Sequence, residues 1–171
     1  NFEFELIKFS SMASPILEED FLKNSEKEIT DKLYGIVTEH YKNKIERNAV
    51  LAFPVIKDVF ENEGDKYERI VVPFTDGIKS LQVVTNLKEA YESQGKSLVT
   101  DFEKNITLAI IDENWKDHLR KMDELKQSVQ NASYEQKDPL LIYKFEAFEL
   151  FKITVDQINK EVLSFLFKGE L

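Results

Sequence analysis

Cysteine is absent from the 171-residue chain, which excludes a disulfide framework, a thiolate zinc ribbon and a thiol nucleophile. Glycine is scarce. With five in all there is no G-x-x-x-x-G-K-[ST] loop to cradle phosphates, and nothing from which to build a dinucleotide-binding turn. Histidine is scarcer still, with only His40 and His118, and no serine or second histidine stands at a spacing that suggests a triad. Positive charge is in deficit: 23 Lys+Arg face 32 Asp+Glu, a formal charge of −9, which argues against a nucleic-acid partner. No apolar run approaches the ~20 residues of a membrane-spanning helix. Glu3 and Glu5 interrupt the place where a secretory signal would run from basic to apolar. The chain opens on Asn1 rather than a methionine, so the sequence is read as a piece of something longer. What remains is 42% hydrophobic and 32% charged, the profile of a chain that folds. Its length suits one domain or two small ones.

The patterning predicts a mainly α protein: a long antiparallel helical hairpin plus a small α+β module containing a β-hairpin. Phe2, Phe4 and Leu6 alternate with polar residues and suggest a short strand. From Glu18, apolar residues recur at helical spacing through Ile29, Leu33, Ile36, Val37, Tyr41 and Ile45. Such a helix, or a pair split near Asn24 and Ser25, is expected to bend or end near Pro54, with Phe53 pushed out of the helical region. Two β-prone runs, Tyr67 to Phe74 and Leu81 to Thr85, flank Asp76-Gly77 and read as a hairpin. Pro73 should confine the first run to an edge. Asn86 is positioned to cap a short helix that Gly95 ends.

The last third is helical twice over. Phe102, Ile106, Leu108, Ile111, Trp115, Leu119, Met122, Leu125 and Val129 mark a helix over about 98–131. Leu141, Phe145, Phe148, Val155, Ile158, Val162 and Phe165 mark another over about 140–167. The loop 131–139 joins them, and a short connection predicts antiparallel packing. The expected domain boundary lies near Gly95, with residues 1–97 as one module and 98–171 as the other. Phe145, Phe148 and Phe151 are expected mainly as core, although Phe165 and Phe167 cannot both point inward, and surplus aromatic surface would dock elsewhere.

Asp112, Glu113, Asp117 and His118 share one helix, and Glu113 and Asp117 share a face, so metal binding is a possible reading. The simpler reading is a solvated face on which Lys116, Arg120 and Lys121 form helix ion pairs, and no metal is expected. His118 reads either as a base for acid–base hydrolysis or as a half-buried helix residue beside Trp115 and Leu119. Trp115 either stabilises the hairpin from its core or faces another domain. Tyr134 is an aromatic in a loop of small, polar and charged residues. It either reaches a partner or folds back to cap its own hairpin.

The ordered string Trp115-Lys116-Asp117-His118-Leu119, Met122-Asp123, Tyr134-Glu135-Gln136-Lys137-Asp138-Pro139, Tyr143-Lys144 and Phe148 resembles the C-terminal part of the SecA family of preprotein-translocating motor ATPases. The resemblance covers about Phe102 to Leu166, and residues before about Ser97 stand where that family has its helical wing. It implies that the hairpin is the two-helix finger of the helical scaffold domain. It further implies that Tyr134, with Gln136 and Lys137 beside it, contacts the translocating preprotein at the SecYEG channel. Trp115, His118 and Leu119 would contact the motor domains and regulate ATP hydrolysis. Asn131, Ala132 and Ser133 stand where the family often has Leu-Arg-Gly or Leu-Arg-Ala, so the arginine that would make a basic channel or lipid contact at the tip is missing. ATP and Mg would belong to the absent motor, and this chain itself is expected to bind no cofactor and hydrolyse nothing. The resemblance implies a cytoplasmic protein peripheral at the inner membrane. A different reading is a stand-alone helical module that oligomerises through its Phe-rich face.

Overall fold

The computed structural model describes residues 6–7, 10–131 and 138–171, the side chains of 130 and 131 aside. The expected strand at Phe2–Leu6 falls mostly outside them, and Leu6 itself is helical. The elements in order are α1 (Glu18–Lys23), α2 (Glu26–Glu63), β1 (Arg69–Thr75), β2 (Ser80–Asn86), α3 (Leu87–Glu92), α4 (Lys96–Asn131) and α5 (Pro139–Lys168). Among the described residues the fold is mainly α with one two-stranded antiparallel sheet. The chain forms two compact units, one of residues 1–106 and 163–171, the other of residues 107–162.

In the first unit, local chemistry sets the element ends. Ser25 separates α1 from α2 with a capping box: its hydroxyl accepts from the Glu28 N–H, and the Glu28 carboxylate accepts from the Ser25 N–H at 2.8 Å. Asn86 caps α3 by accepting from the Glu89 N–H at 3.0 Å. Gly95 follows α3 with φ +84°, its N–H bonded to the Ala90 carbonyl. A Cβ at Gly95 would lie 2.7 Å from the Ala49 carbonyl oxygen of α2, so both the turn and the close approach of α2 require glycine.

The strands pair from Arg69↔Asn86 to Thr75↔Ser80. Ile70, Val72 and Phe74 face inward opposite Thr85, Val83 and Leu81. On its other edge β1 exchanges two 2.9 Å backbone bonds with Glu170 at Thr75. The Thr75 N–H therefore points away from β2, and so does the nitrogen of Pro73 two residues earlier. Pro73 costs the ladder nothing, which is why a strand tolerates it.

The helix does not end at Pro54. Both Phe53 and Pro54 lie inside α2, which continues to Glu63. Asn48, Ala49, Ala52 and Ile56 are buried on both sides of the proline, and Tyr91 of α3 stacks on Phe60 with ring centroids 4.2 Å apart. Tertiary packing on both sides of the proline holds the helix through the lost hydrogen bond, a local penalty of about 3 kcal/mol.

The core of this unit joins Phe74, Phe102 and Phe165, with ring centroids 4.4 Å (Phe74–Phe102) and 6.4 Å (Phe102–Phe165) apart. Beside it lies Lys44, only 5% exposed. Its ammonium donates to the Leu166 carbonyl at 2.5 Å and sits 5.8 Å from the Phe102 ring centroid. That carbonyl belongs to the last turn of α5, where no intrahelical donor remains, so Lys44 caps α5 from another helix. Burial pushes Lys44 down to about 8; Glu170 opposes this shift and Arg47 adds to it. Nearby, the Tyr41 hydroxyl donates to the Glu103 carboxylate at 3.0 Å, and burial, with that anion, raises the phenol above its ordinary range.

Candidate functional site

The candidate residues of the second unit lie on α4 and α5. From Asn114 to His118 the contacts step back along α5 from Glu161 to Thr154, the sense of an antiparallel pair, as the short connection predicted. Pro139 occupies the first position of α5. Asp138 caps that helix, its carboxylate accepting from Leu140 N–H at 2.9 Å.

The inward and outward faces of α4 are not those the apolar stripe suggested. Leu108, Ile111, Trp115 and Leu119 are exposed, Trp115 by 43% and Leu119 by 50%. The buried line runs instead through Ile110, Asn114, His118, Leu125 and Val129. Trp115 therefore is not a core residue of this chain. His118, expected half-buried, is buried at 6% exposure. Its ring lies 5.0 Å from Trp115 and meets Phe151 edge-on at 6.1 Å. Its Nδ1 is 3.1 Å from the Thr154 hydroxyl. Asn114 donates to the Ile110 carbonyl and to the Glu161 carboxylate, both at 3.0 Å. Sequence reasoning missed Asn114, Thr154 and Glu161. Their signal was polar residues at i, i+4 on one helix and i, i+7 on the other, on the sides facing each other.

Three phenylalanines of α5, Phe145, Phe148 and Phe151, also depart from expectation. Phe145, Phe148 and Phe151 are exposed, while Phe165 is buried and Phe167 is half-buried against His40 and Tyr41. A helix paired with one neighbour buries one stripe, and α5 spends that stripe on Ala147, Leu150, Thr154 and Ile158, none of which is exposed. The three phenylalanines lie off it.

The acidic cluster is engaged in ion pairs. Asp112 pairs with Lys116 at 2.6 Å, and Asp117 pairs with Arg120 and Lys121. The Lys121 hydrogen bond, aided by Arg120, holds the Asp117 carboxyl below its usual range. Among the described residues, no group of three or more His, Asp and Glu side chains is disposed to hold a metal ion. A hollow of about 360 Å³ lies over Asn114, Glu161, Asp117 and Arg120. In the first unit a cleft of about 1010 Å³ is lined by Glu61, Asp65, Glu68, Glu89 and Glu92 against Lys66 and Lys88, an acidic excess ill suited to phosphate. Tyr134, Gln136 and Lys137 lie outside the described residues. Among the described residues no helix is long and apolar enough to cross a membrane.

Comparison with known proteins covers the chain almost end to end. Residues 5–170 match the family model described as SecA Wing and Scaffold domain. The protein translocase subunit SecA of Flavobacterium psychrophilum is 67% identical over the whole chain, which covers 15% of that protein. The SecA subunit of Christiangramia forsetii is 63% identical over the whole chain, again 15% of its length. That of Bacteroides thetaiotaomicron is 48% identical over 99% of the chain and 15% of its own length. The chain thus spans about 15% of the length of the curated relatives it matches. No solved structure matches it.

Proposed function

The chain belongs to the SecA wing and scaffold family, and from that premise we propose that it is the wing and two-helix-finger part of a motor that drives preproteins through the SecYEG channel. The observation that carries this reading is the family match over residues 5–170. Residues 1–97 correspond to the wing-like module and 98–171 to the scaffold part. The helices α4 and α5 flank the 132–137 stretch that holds Tyr134, the residue that grips the moving polypeptide. An aromatic ring suits that work, because it offers contact area without demanding one partner side chain. Gln136 and Lys137 assist beside it.

Regulation of the motor falls to the exposed stripe of α4. Trp115 and Leu119 are open to a partner surface, and His118 supports Trp115 from beneath at 5.0 Å. ATP and Mg act in the motor domains, outside this chain, which hydrolyses nothing itself. The assembly works from the cytoplasmic side, peripheral at the inner membrane.

The test uses a full-length parent carrying Tyr134→Ala, assayed for ATP-driven preprotein import into SecYEG vesicles and for basal ATP hydrolysis. Import should fall strongly while basal hydrolysis stays near normal, and Tyr134→Phe should be milder. Import at the normal rate with Tyr134→Ala would remove the grip role.

A further inference from the structure

The most apolar face of α4 in the second unit does not face α5. Leu108, Ile111, Trp115 and Leu119 point to solvent, while Asn114 and His118 point to α5 and are buried. Over the stretch between Ile110 and Leu125 the apolar area of α4 is on the outward side, and burial of that area alone would turn this stretch the other way, because that attraction is non-directional and scales with area. Something directional opposes it.

We propose that Asn114–Glu161 and His118–Thr154 form a polar clasp that fixes both the rotation and the register of α4 against α5. The two pairs lie one helical turn apart on α4. Asn114 is 7%, His118 6% and Thr154 7% exposed, so none finds a ready substitute partner in water. A slide of α5 by one turn, about 5.4 Å, removes Thr154 and Glu161 together. It sets His118 opposite Leu150 in one direction and Ile158 in the other, neither of which offers a side-chain acceptor. Rotation of α4 to bury Trp115 orphans the same groups. Buried polar pairs serve as register devices in helical assemblies generally.

The geometry also assigns the imidazole. The Thr154 hydroxyl has one proton, and it goes to the Leu150 carbonyl at 2.8 Å, since a carbonyl can only accept. The 3.1 Å contact with His118 is then a hydrogen bond only if Nδ1–H donates. His118 is therefore held with its proton on Nδ1, against the usual preference for Nε2.

The absence of native cysteine makes the test clean. Spin labels on Lys126→Cys and Glu146→Cys, both exposed, report the register by double electron–electron resonance. With the clasp intact, one narrow distance is expected. With Asn114→Leu, His118→Leu, Thr154→Leu and Glu161→Leu combined, a broadened distance distribution is expected, at an unchanged or raised denaturation midpoint. A single narrow distance in that variant would overturn the proposal. Should the fourfold variant fail to fold, Thr154→Ser against Thr154→Val decides. Serine should keep the single distance and valine should broaden it, and identical traces would refute the clasp. Nitrogen-15 chemical shifts of His118 in the unmodified chain should show protonated Nδ1, and an Nε2–H ring would refute the assignment.

Discussion

Raising the pH should stabilise this protein over a range in which most proteins are losing stability, and Lys44 is the reason. The buried Lys44 sits at about 8 in the folded chain against an ordinary 10.5. Below about pH 8 both states hold the proton, and the folded state bears the whole cost of burying the charge. Between pH 8 and 10.5 the unfolded chain keeps a proton that the folded chain has lost. The unfolded state then binds more protons, so stability rises with pH. Over the full window the gain is about 3 kcal/mol, and between pH ~7 and ~9.5 it is about 2 kcal/mol. Tyr41 sets the upper limit. Its folded phenol is raised above the ordinary 10.0, so its contribution is complete below pH 10 and is lost as the unfolded chain ionises above it. The summed contribution of these two groups therefore peaks near pH 10. Urea denaturation of the wild type and Lys44→Met at several pH values is the assay. At a slope of about 2 kcal/mol per molar urea, the wild-type midpoint should climb by ~1 M between pH ~7 and ~9.5 relative to the variant. Taking the difference cancels the other titrating groups. Parallel curves for the two proteins would refute the reasoning and show that Lys44 keeps an ordinary proton affinity despite its burial.

Three other changes test the fold. Gly95→Ala should destabilise by about 2 kcal/mol or more, since φ is +84° and the new Cβ would collide with the Ala49 carbonyl 2.7 Å away; thermal unfolding would show it, and an unchanged midpoint would mean that α2 yields. Pro54→Ala should stabilise by about 1–3 kcal/mol, by restoring a donor inside α2 where the proline ring is exposed, and a loss of stability on denaturation would show that the ring is needed for packing. Trp115→Ala should cost no more than about 1 kcal/mol, because the ring is 43% exposed; a loss of several kcal/mol on chemical denaturation would return it to the core.

The family was legible in short strings of residues. Trp115 to Leu119 and Tyr134 to Pro139 carried the family, which the match over residues 5–170 bears out. Sequence did not predict how His118 would be used. Its neighbours in the string are Asp117 and Leu119, but its partner is Thr154, thirty-six positions away.

Local chemistry therefore determined where elements start, stop and turn. The Ser25 box, the Asn86 cap, the Asp76-Gly77 hairpin and the Gly95 turn each act within about four residues, so they can be read without the fold. Which face of a helix is buried was decided only by tertiary structure. Periodicity marks an apolar stripe but not its partner, and in α4 the stripe of Trp115 and Leu119 lies outside while Asn114 and His118 lie inside. Likewise Pro54 reads as a helix breaker by local sterics, yet α2 continues past it to Glu63, with Ala49, Ala52 and Ile56 buried on both sides. Lys44 reads as a surface lysine until the last turn of α5 brings it a carbonyl with no other donor. Hydrogen bonds between distant residues are set by packing, and single-sequence spacing marks candidate polar positions without naming their partners.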